Sequence, residues 1–155
     1  MALAVGEVAP DFTSTTSGGE TISLAAYKGK KNVVLFFYPG DFTPVCTKEA
    51  CGFRDIYDEL QGKNTEIIGV SVDSGESHDK FKKAHNLGFP LLSDTDKALA
   101  TKYGAASGLL ASLIGRVNRI TYVIDKNGKI AAVLRGELSA NKHVDGVKNA
   151  LSMLA

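Results

Sequence analysis

The sequence predicts an α/β fold, parallel at the centre of its sheet, antiparallel later, with helices on both faces. Three observations carry this. Two continuous apolar runs, residues 33–38 and 67–72, bracket an amphipathic helical stretch, the pattern of a βαβ unit with a right-handed crossover. Asp125-Lys126-Asn127-Gly128 joins two strand-like stretches, as a hairpin turn does. The chain closes on Val144, Val147, Leu151 and Leu154, one face of a helix.

The elements follow in order. Gly18-Gly19 lies between residues 11–14 and 21–24, which read as an N-terminal β-hairpin. After a polar turn at residues 29–32, Val33-Val34-Leu35-Phe36-Phe37-Tyr38 is rich in branched and aromatic residues, a strand buried on both faces. It stops at Pro39-Gly40-Asp41. Thr43 is an N-cap candidate, and Pro44 falls at the first helical position, where its missing N–H costs little. Ala50, Phe53, Ile56, Tyr57 and Leu60 then form one apolar stripe, with Gly62 as the stop. Ile67-Ile68-Gly69-Val70-Ser71-Val72 is the second buried strand. Ser77 is expected to cap a helix carrying Phe81 and Ala84 that ends near residues 86–88. Leu91-Leu92 reads as a short strand and residues 98–103 as a short helix. Residues 119–125 and 129–135 read as the hairpin strands, and Ser139 as the cap of the last helix.

Composition bounds the function. A chain of 155 residues, 44% hydrophobic and 23% charged, is the size and make-up of a single domain with its own core. With 18 Lys+Arg against 17 Asp+Glu the formal charge is +1, which argues against nucleic-acid binding through a basic field. No apolar run reaches the ~18 residues that span a bilayer, and the start has no secretory pattern. A cytoplasmic protein is expected, a processed organelle protein being the alternative. Two cysteines are too few for a disulfide scaffold.

Those cysteines, Cys46 and Cys51, are close together. With Thr43 as N-cap, Cys46 is the third residue of a helix that starts at the carboxyl end of the first core strand, where open α/β sheets build their sites. The first turn exposes unpaired N–H groups and the positive end of the helix dipole, and both favour a thiolate, the nucleophilic form of cysteine. A small buried residue is the plainer alternative. The C-x₄-C spacing is not C-x-x-C, and no second pair completes a zinc site. His78, His85 and His143 lie on helices expected at the surface, at no ligand-like spacing. Lys28, Lys30 and Lys31 read as a solvated loop, and no phosphate-binding glycine motif is present. Glu49, one turn after Cys46, would by itself disfavour a thiolate and is expected to pair with a basic residue. Leu109-Leu110-Ala111-Ser112-Leu113-Ile114 reads either as a buried short helix or as an apolar wall near the site.

Pro39-Gly40-Asp41-Phe42-Thr43-Pro44-Val45-Cys46 fits the peroxiredoxin pattern P-x-x-x-[TS]-x-x-C. Together with Cys46-Thr47-Lys48-Glu49-Ala50-Cys51-Gly52-Phe53-Arg54-Asp55 it resembles the peroxiredoxin Q branch, also called bacterioferritin comigratory protein. The resemblance runs nearly end to end, through Ala9-Pro10-Asp11-Phe12, Leu92-Ser93-Asp94 and Arg119-Ile120-Thr121-Tyr122-Val123-Ile124-Asp125. Val45 stands where the family usually has glycine, and Phe42 where a polar residue is expected.

The resemblance implies a thioredoxin-like fold and a thiol peroxidase that reduces hydrogen peroxide and organic hydroperoxides. It implies Cys46 as the peroxidatic and Cys51 as the resolving cysteine, joined on turnover in an intramolecular disulfide that thioredoxin or a similar dithiol reduces. It implies Thr43 as a hydroxyl on the thiolate or peroxide, Arg119 beside the sulfur and Pro39 as a shield. No metal, haem or flavin is implied, and a monomer is expected. On the residues alone, Arg54 or Arg116 could serve in place of Arg119. A general thiol-disulfide oxidoreductase and a redox-sensing binding module remain the alternatives; rapid peroxide consumption by the reduced protein separates the first from a peroxidase, and slow turnover with tight partner capture in only one redox state would favour the second. If both cysteines share one helix, five residues put their Cα atoms about 8.6 Å apart, beyond the roughly 4.4–6.8 Å of a disulfide. The helix must then unwind for the bond to form.

Overall fold

The computed structural model describes residues 2–106, 115–136 and 139–154. Strand β3 (Asn32–Phe37) is buried at every residue, because the sheet is covered on both faces. Val33, Leu35 and Phe37 enter one core with Ile68, Val70 and Tyr122. Val34, Phe36 and Tyr38 enter the other with Phe53, Phe81, Phe89 and Val147. The unbroken apolar run is thus two alternating sets of side chains, one per face.

After β3 the chain forms α1 (Pro44–Gln61) and returns as β4 (Thr65–Ser71), parallel to β3 with Val34 opposite Ile67. Helix α2 (Gly75–His85) leads to β5 (Leu91–Ser93), again parallel. The short α3 (Ala98–Lys102) follows, then the antiparallel strands β6 (Ile120–Ile124) and β7 (Ile130–Arg135). The sheet order is β5-β4-β3-β6-β7. The last helix, α4 (Ala140–Ser152), packs with α1 and α2 on one face, while α3 and the N-terminal segment cover the other. Strands β1 (Thr13–Thr15) and β2 (Thr21–Ser23) form a separate antiparallel hairpin. Where α1 crosses α4, a Cβ on Gly52 would lie 2.8 Å from Val144 Cγ2, so the approach needs a glycine.

Several boundaries differ from the sequence expectation for identifiable reasons. The hairpin starts later, because Asp11 uses its carboxylate to accept the Phe12 and Ala25 N–H groups. Ser74, not Ser77, caps α2, its hydroxyl accepting the Ser77 N–H. Gly62 ends α1 in a right-handed conformation, and the left-handed residue that turns the chain is Asn64. Leu154 falls beyond α4 and is partly exposed. The apolar block at residues 109–114 lies outside the described residues.

Candidate active site

The site forms where β3 ends. Thr43 takes the N-cap position of α1 with Pro44 behind it, and the first intrahelical bond runs from Thr47 N–H to the Thr43 carbonyl at 2.8 Å. Cys46 therefore lies in the turn whose N–H groups have no partner within the helix. Its side chain is buried, at 1% exposure.

Arg119 reaches it from across the sheet. Antiparallel pairing sets Ile120 opposite Phe37, so the residue before Ile120 lies beside the start of the loop that carries Cys46. The guanidinium is 4% exposed. Its Nη2 donates to Cys46 Sγ at 3.2 Å and its Nη1 to Glu49 Oε1 at 2.6 Å. Burial alone would depress this guanidinium, but the charges of Glu49 and Cys46 hold it above its ordinary range. Glu49 does pair with a basic residue, and that residue is the arginine that faces the sulfur.

Behind Glu49 lies His143 of α4. Its Nδ1 is 3.5 Å from Glu49 Oε2 and 2.8 Å from Thr121 Oγ1, and its Nε2 is 2.9 Å from the Gly136 carbonyl. Burial pushes the imidazole below its ordinary range, with Arg119 and Lys142 adding to the effect and the Gly136 bond opposing it. The expectation of surface histidines fails for His143 and for His78, both fully buried. Each occupies the apolar stripe of its helix, at positions 140-143-147 and 78-81, and each ring finds partners on both nitrogens. That stripe position was the signal available in the sequence.

His78 braces the loop before Cys46. Its Nδ1 lies 2.8 Å from Asp41 Oδ2 and its Nε2 3.0 Å from the Leu92 carbonyl. Asp41 also accepts from the Tyr38 hydroxyl at 2.6 Å and from Ser77 at 2.8 Å. The Asp41 N–H donates to Asp73, which Arg116 holds at 2.7 Å. Burial works against the Asp73 carboxylate, yet the Asp41 N–H, Arg116 and Ser71 bring it below the usual range.

The other expected site residues are placed differently. The Thr43 hydroxyl donates to the Gly40 carbonyl at 2.8 Å and closes the loop. Pro39 is half-buried, directly after Tyr38. Phe42 takes a positive φ of 62° and sets its exposed ring 5.1 Å from that of Phe81. Cys51 shares α1 with Cys46, is half-buried, and faces Arg54 Nη1 at 3.6 Å. Arg54 also donates to the His85 carbonyl at 2.8 Å and pairs with Asp55. The three candidate arginines thus have separate partners: Cys46 for Arg119, Cys51 for Arg54, Asp73 for Arg116. Both thiols are free. Among the described residues no group of three or more His, Cys, Asp or Glu gathers as a metal site, and no helix is long and apolar enough to cross a membrane.

A family model described as AhpC/TSA matches residues 5–133. The chain is 42% identical over 149 residues to the chloroplastic peroxiredoxin Q of Sedum lineare, covering 96% of this chain and 78% of that one. Its fold superposes on the crystal structure of peroxidoxin BcpB from Mycobacterium tuberculosis with a TM-score of 0.88 at 34% identity, over 97% of each chain. A trapped intermediate/ligand complex of the Xanthomonas campestris bacterioferritin comigratory protein, described for alkyl peroxide reduction, gives 0.86 at 31%, over 100% of this chain and 99% of that one. The mixed sheet and its helices are therefore the thioredoxin-like fold of these proteins.

Proposed function

The chain belongs to the AhpC/TSA family and is a thiol-dependent peroxidase of the peroxiredoxin Q and bcp branch, and from this we propose that Cys46 is the peroxidatic cysteine and Cys51 the resolving one. The observation that carries the assignment is the 3.2 Å contact from a buried guanidinium to Cys46 Sγ in the first turn of α1. A charge in a site shielded from water acts on a thiolate with little screening.

The Cys46 thiolate attacks the terminal oxygen of a hydroperoxide. The S–O bond forms, the O–O bond breaks, and the leaving oxygen departs as water or an alcohol once protonated. Arg119 stabilises the negative charge that moves from sulfur to the leaving oxygen. The hydrogen of the Thr43 hydroxyl is held by Gly40, so its oxygen presents lone pairs and accepts the O–H of the peroxide. Pro39 keeps water from the sulfur. The sulfenic acid at Cys46 then condenses with the Cys51 thiol, forming the disulfide and releasing water. A dithiol of the thioredoxin type, in the cytoplasm or an organelle, returns both thiols by exchange and is itself oxidised. The protein acts as a monomer on hydrogen peroxide and organic hydroperoxides.

Stopped-flow mixing of reduced protein with several peroxides, followed by turnover with thioredoxin, tests this reading. A fast stoichiometric phase, with the Cys46–Cys51 bond found by mass spectrometry, is expected. Slow peroxide consumption with rapid thiol–disulfide exchange would overturn it.

A further inference from the structure

We propose that His143 is a positioning residue for peroxide reduction, setting through Glu49 how much of the Arg119 guanidinium is available to the Cys46 sulfur. The proposal rests on the peroxidatic role of Cys46.

The geometry is a buried chain of four side chains, two from α1, one from α4 and one from the residue before β6. Arg119 is divided between the Cys46 sulfur at 3.2 Å and Glu49 Oε1 at 2.6 Å. The carboxylate is the nearer and harder partner, so it competes with the sulfur for the same cation. The other oxygen of Glu49 points to His143 Nδ1 at 3.5 Å. Whatever draws the carboxylate toward His143 releases the guanidinium toward Cys46.

The His143 ring has two states with different effects. Its Nε2 faces the Gly136 carbonyl at 2.9 Å, an acceptor only, so this nitrogen carries hydrogen in both. In the neutral ring Nδ1 is a lone pair that takes the Thr121 hydroxyl hydrogen at 2.8 Å, and that lone pair faces the Glu49 carboxylate without attracting it. In the charged ring Nδ1–H donates toward Thr121 and Glu49. The groups that face His143 are Glu49 from α1, Arg119 and Thr121 from β6 and the residue before it, and Lys142 from its own helix. The single charged residue of strand β7, Arg135, is exposed.

Charge counting gives the sign. With Cys46 as thiolate, Arg119 charged, Glu49 ionised and His143 neutral, the buried set carries one net negative charge. A proton on His143 makes it neutral. The imidazolium and the thiolate therefore favour each other, and linkage makes that reciprocal. Burial favours the neutral ring and holds the imidazole below its ordinary range, so the coupling acts on the acid side.

The experiment is the pH dependence of single-turnover hydrogen peroxide attack, from about pH 5 to 8, on the reduced parent, His143→Gln, Glu49→Gln and the double variant. Glutamine at 143 keeps a donor for the Gly136 carbonyl and cannot be protonated. His143→Gln should move the acid limb to higher pH, with a rate at least about fivefold below the parent near pH 5.5 and a difference that narrows as pH rises. In the Glu49→Gln background the same change should lose most of its effect, as coupled neighbours do. Thr121→Val removes the hydroxyl that donates to the neutral ring, whereas the charged ring keeps Glu49 as an acceptor, so it should move the limb to lower pH. This opposite sign decides the matter even if His143→Gln does not fold. Superimposable pH profiles, an effect undiminished without Glu49, or a Thr121→Val shift toward higher pH would overturn the proposal. Thiolate absorbance of Cys46 in Cys51→Ser protein reports the same coupling without peroxide. Slow peroxide reaction with coupled titration would sink the peroxidase reading, and with it the positioning role, while leaving the His143–Cys46 coupling itself intact.

Discussion

Cys46 and Cys51 sit five residues apart on one helix, each with an arginine against its sulfur, yet their surroundings differ. The Cys46 partner is 4% exposed, 3.2 Å away and tied by its other arm to a buried carboxylate. The Cys51 partner is 35% exposed, 3.6 Å away and paired with the exposed Asp55. A guanidinium near a thiol is thus not enough to distinguish the two. Burial and the helix N-terminus are, because both act at Cys46 alone, and because a charge half in water is screened where a buried one is not.

The sharpest way to break this comparison is to remove each sulfur in turn. Cys46→Ser should abolish fast peroxide reduction, since no other thiol lies in the first turn of α1. Cys51→Ser should retain the stoichiometric first phase, then stall as sulfenic acid and over-oxidise more readily. Stopped-flow and mass spectrometry check both. Equal loss of the first phase would show the two environments to be functionally alike.

The next test exchanges the arginines. Arg119→Met should slow attack by roughly 10²–10³-fold, the range for loss of one transition-state donor. Raising the pH should recover only part, because it restores thiolate but not the cation that follows the charge onto oxygen. The same variant should unfold more easily by about 3–5 kcal/mol, since it takes a buried charge away from Glu49. Arg54→Met should leave the attack phase within a few-fold of the parent, with the exposed pair worth at most about 1 kcal/mol. Matching rate losses in the two variants would dissolve the distinction.

A third test reads the helix itself. Both thiols lie on the continuous α1, where five residues separate Cα atoms by about 8.6 Å, too far for a disulfide. Arg54 ties the Cys51 turn to the end of α2 through the His85 carbonyl, and helix ends open most readily, so the Cys46 end should unwind. Backbone amides from residue 47 to about 54 should exchange with solvent much faster in the oxidised protein. Unchanged protection, with the disulfide confirmed by mass, would mean that Cys51 reaches Cys46 without melting the helix.

What the sequence made legible follows the same division between local and non-local causes. Strand β3 was readable because burial on both faces writes an unbroken apolar run, and the start of α1 because Thr43-Pro44 is a local signal. Cys46 followed from that start. Arg119 did not follow from any local pattern: Arg54 and Arg116 were equal candidates until the family resemblance, and the β3–β6 register is what carries it to the sulfur. Ser74 rather than the expected Ser77 caps α2, and two serines three apart offer the same hydroxyl to a helix start. His78 and His143 are less legible, because a polar letter in an apolar stripe looks like a break in it. Their burial depends on partners from other elements, Asp41 and Leu92 for one, Thr121 and Gly136 for the other.

The smallest expected effect separates the Cys46 end from the rest of the molecule by its stability rather than its rate. The folded protein holds His143 below its ordinary range, through burial first and the charge of Arg119 second. The unfolded chain has no such environment, so its histidine takes up protons near the free value of about 6.5. Between those two values the unfolded state binds more protons, and stability rises with pH there. The contribution is complete above the unfolded value and is lost as pH falls through it toward the folded value. Urea unfolding midpoints, measured from pH 7.5 down to 5, should decline in the parent and decline less steeply in His143→Gln, which has no proton to gain. Arg54→Met, at the Cys51 end, should keep the parental slope because it leaves the surroundings of His143 intact. A slope unchanged by His143→Gln would place the acid sensitivity elsewhere and remove this difference between the two ends of the span.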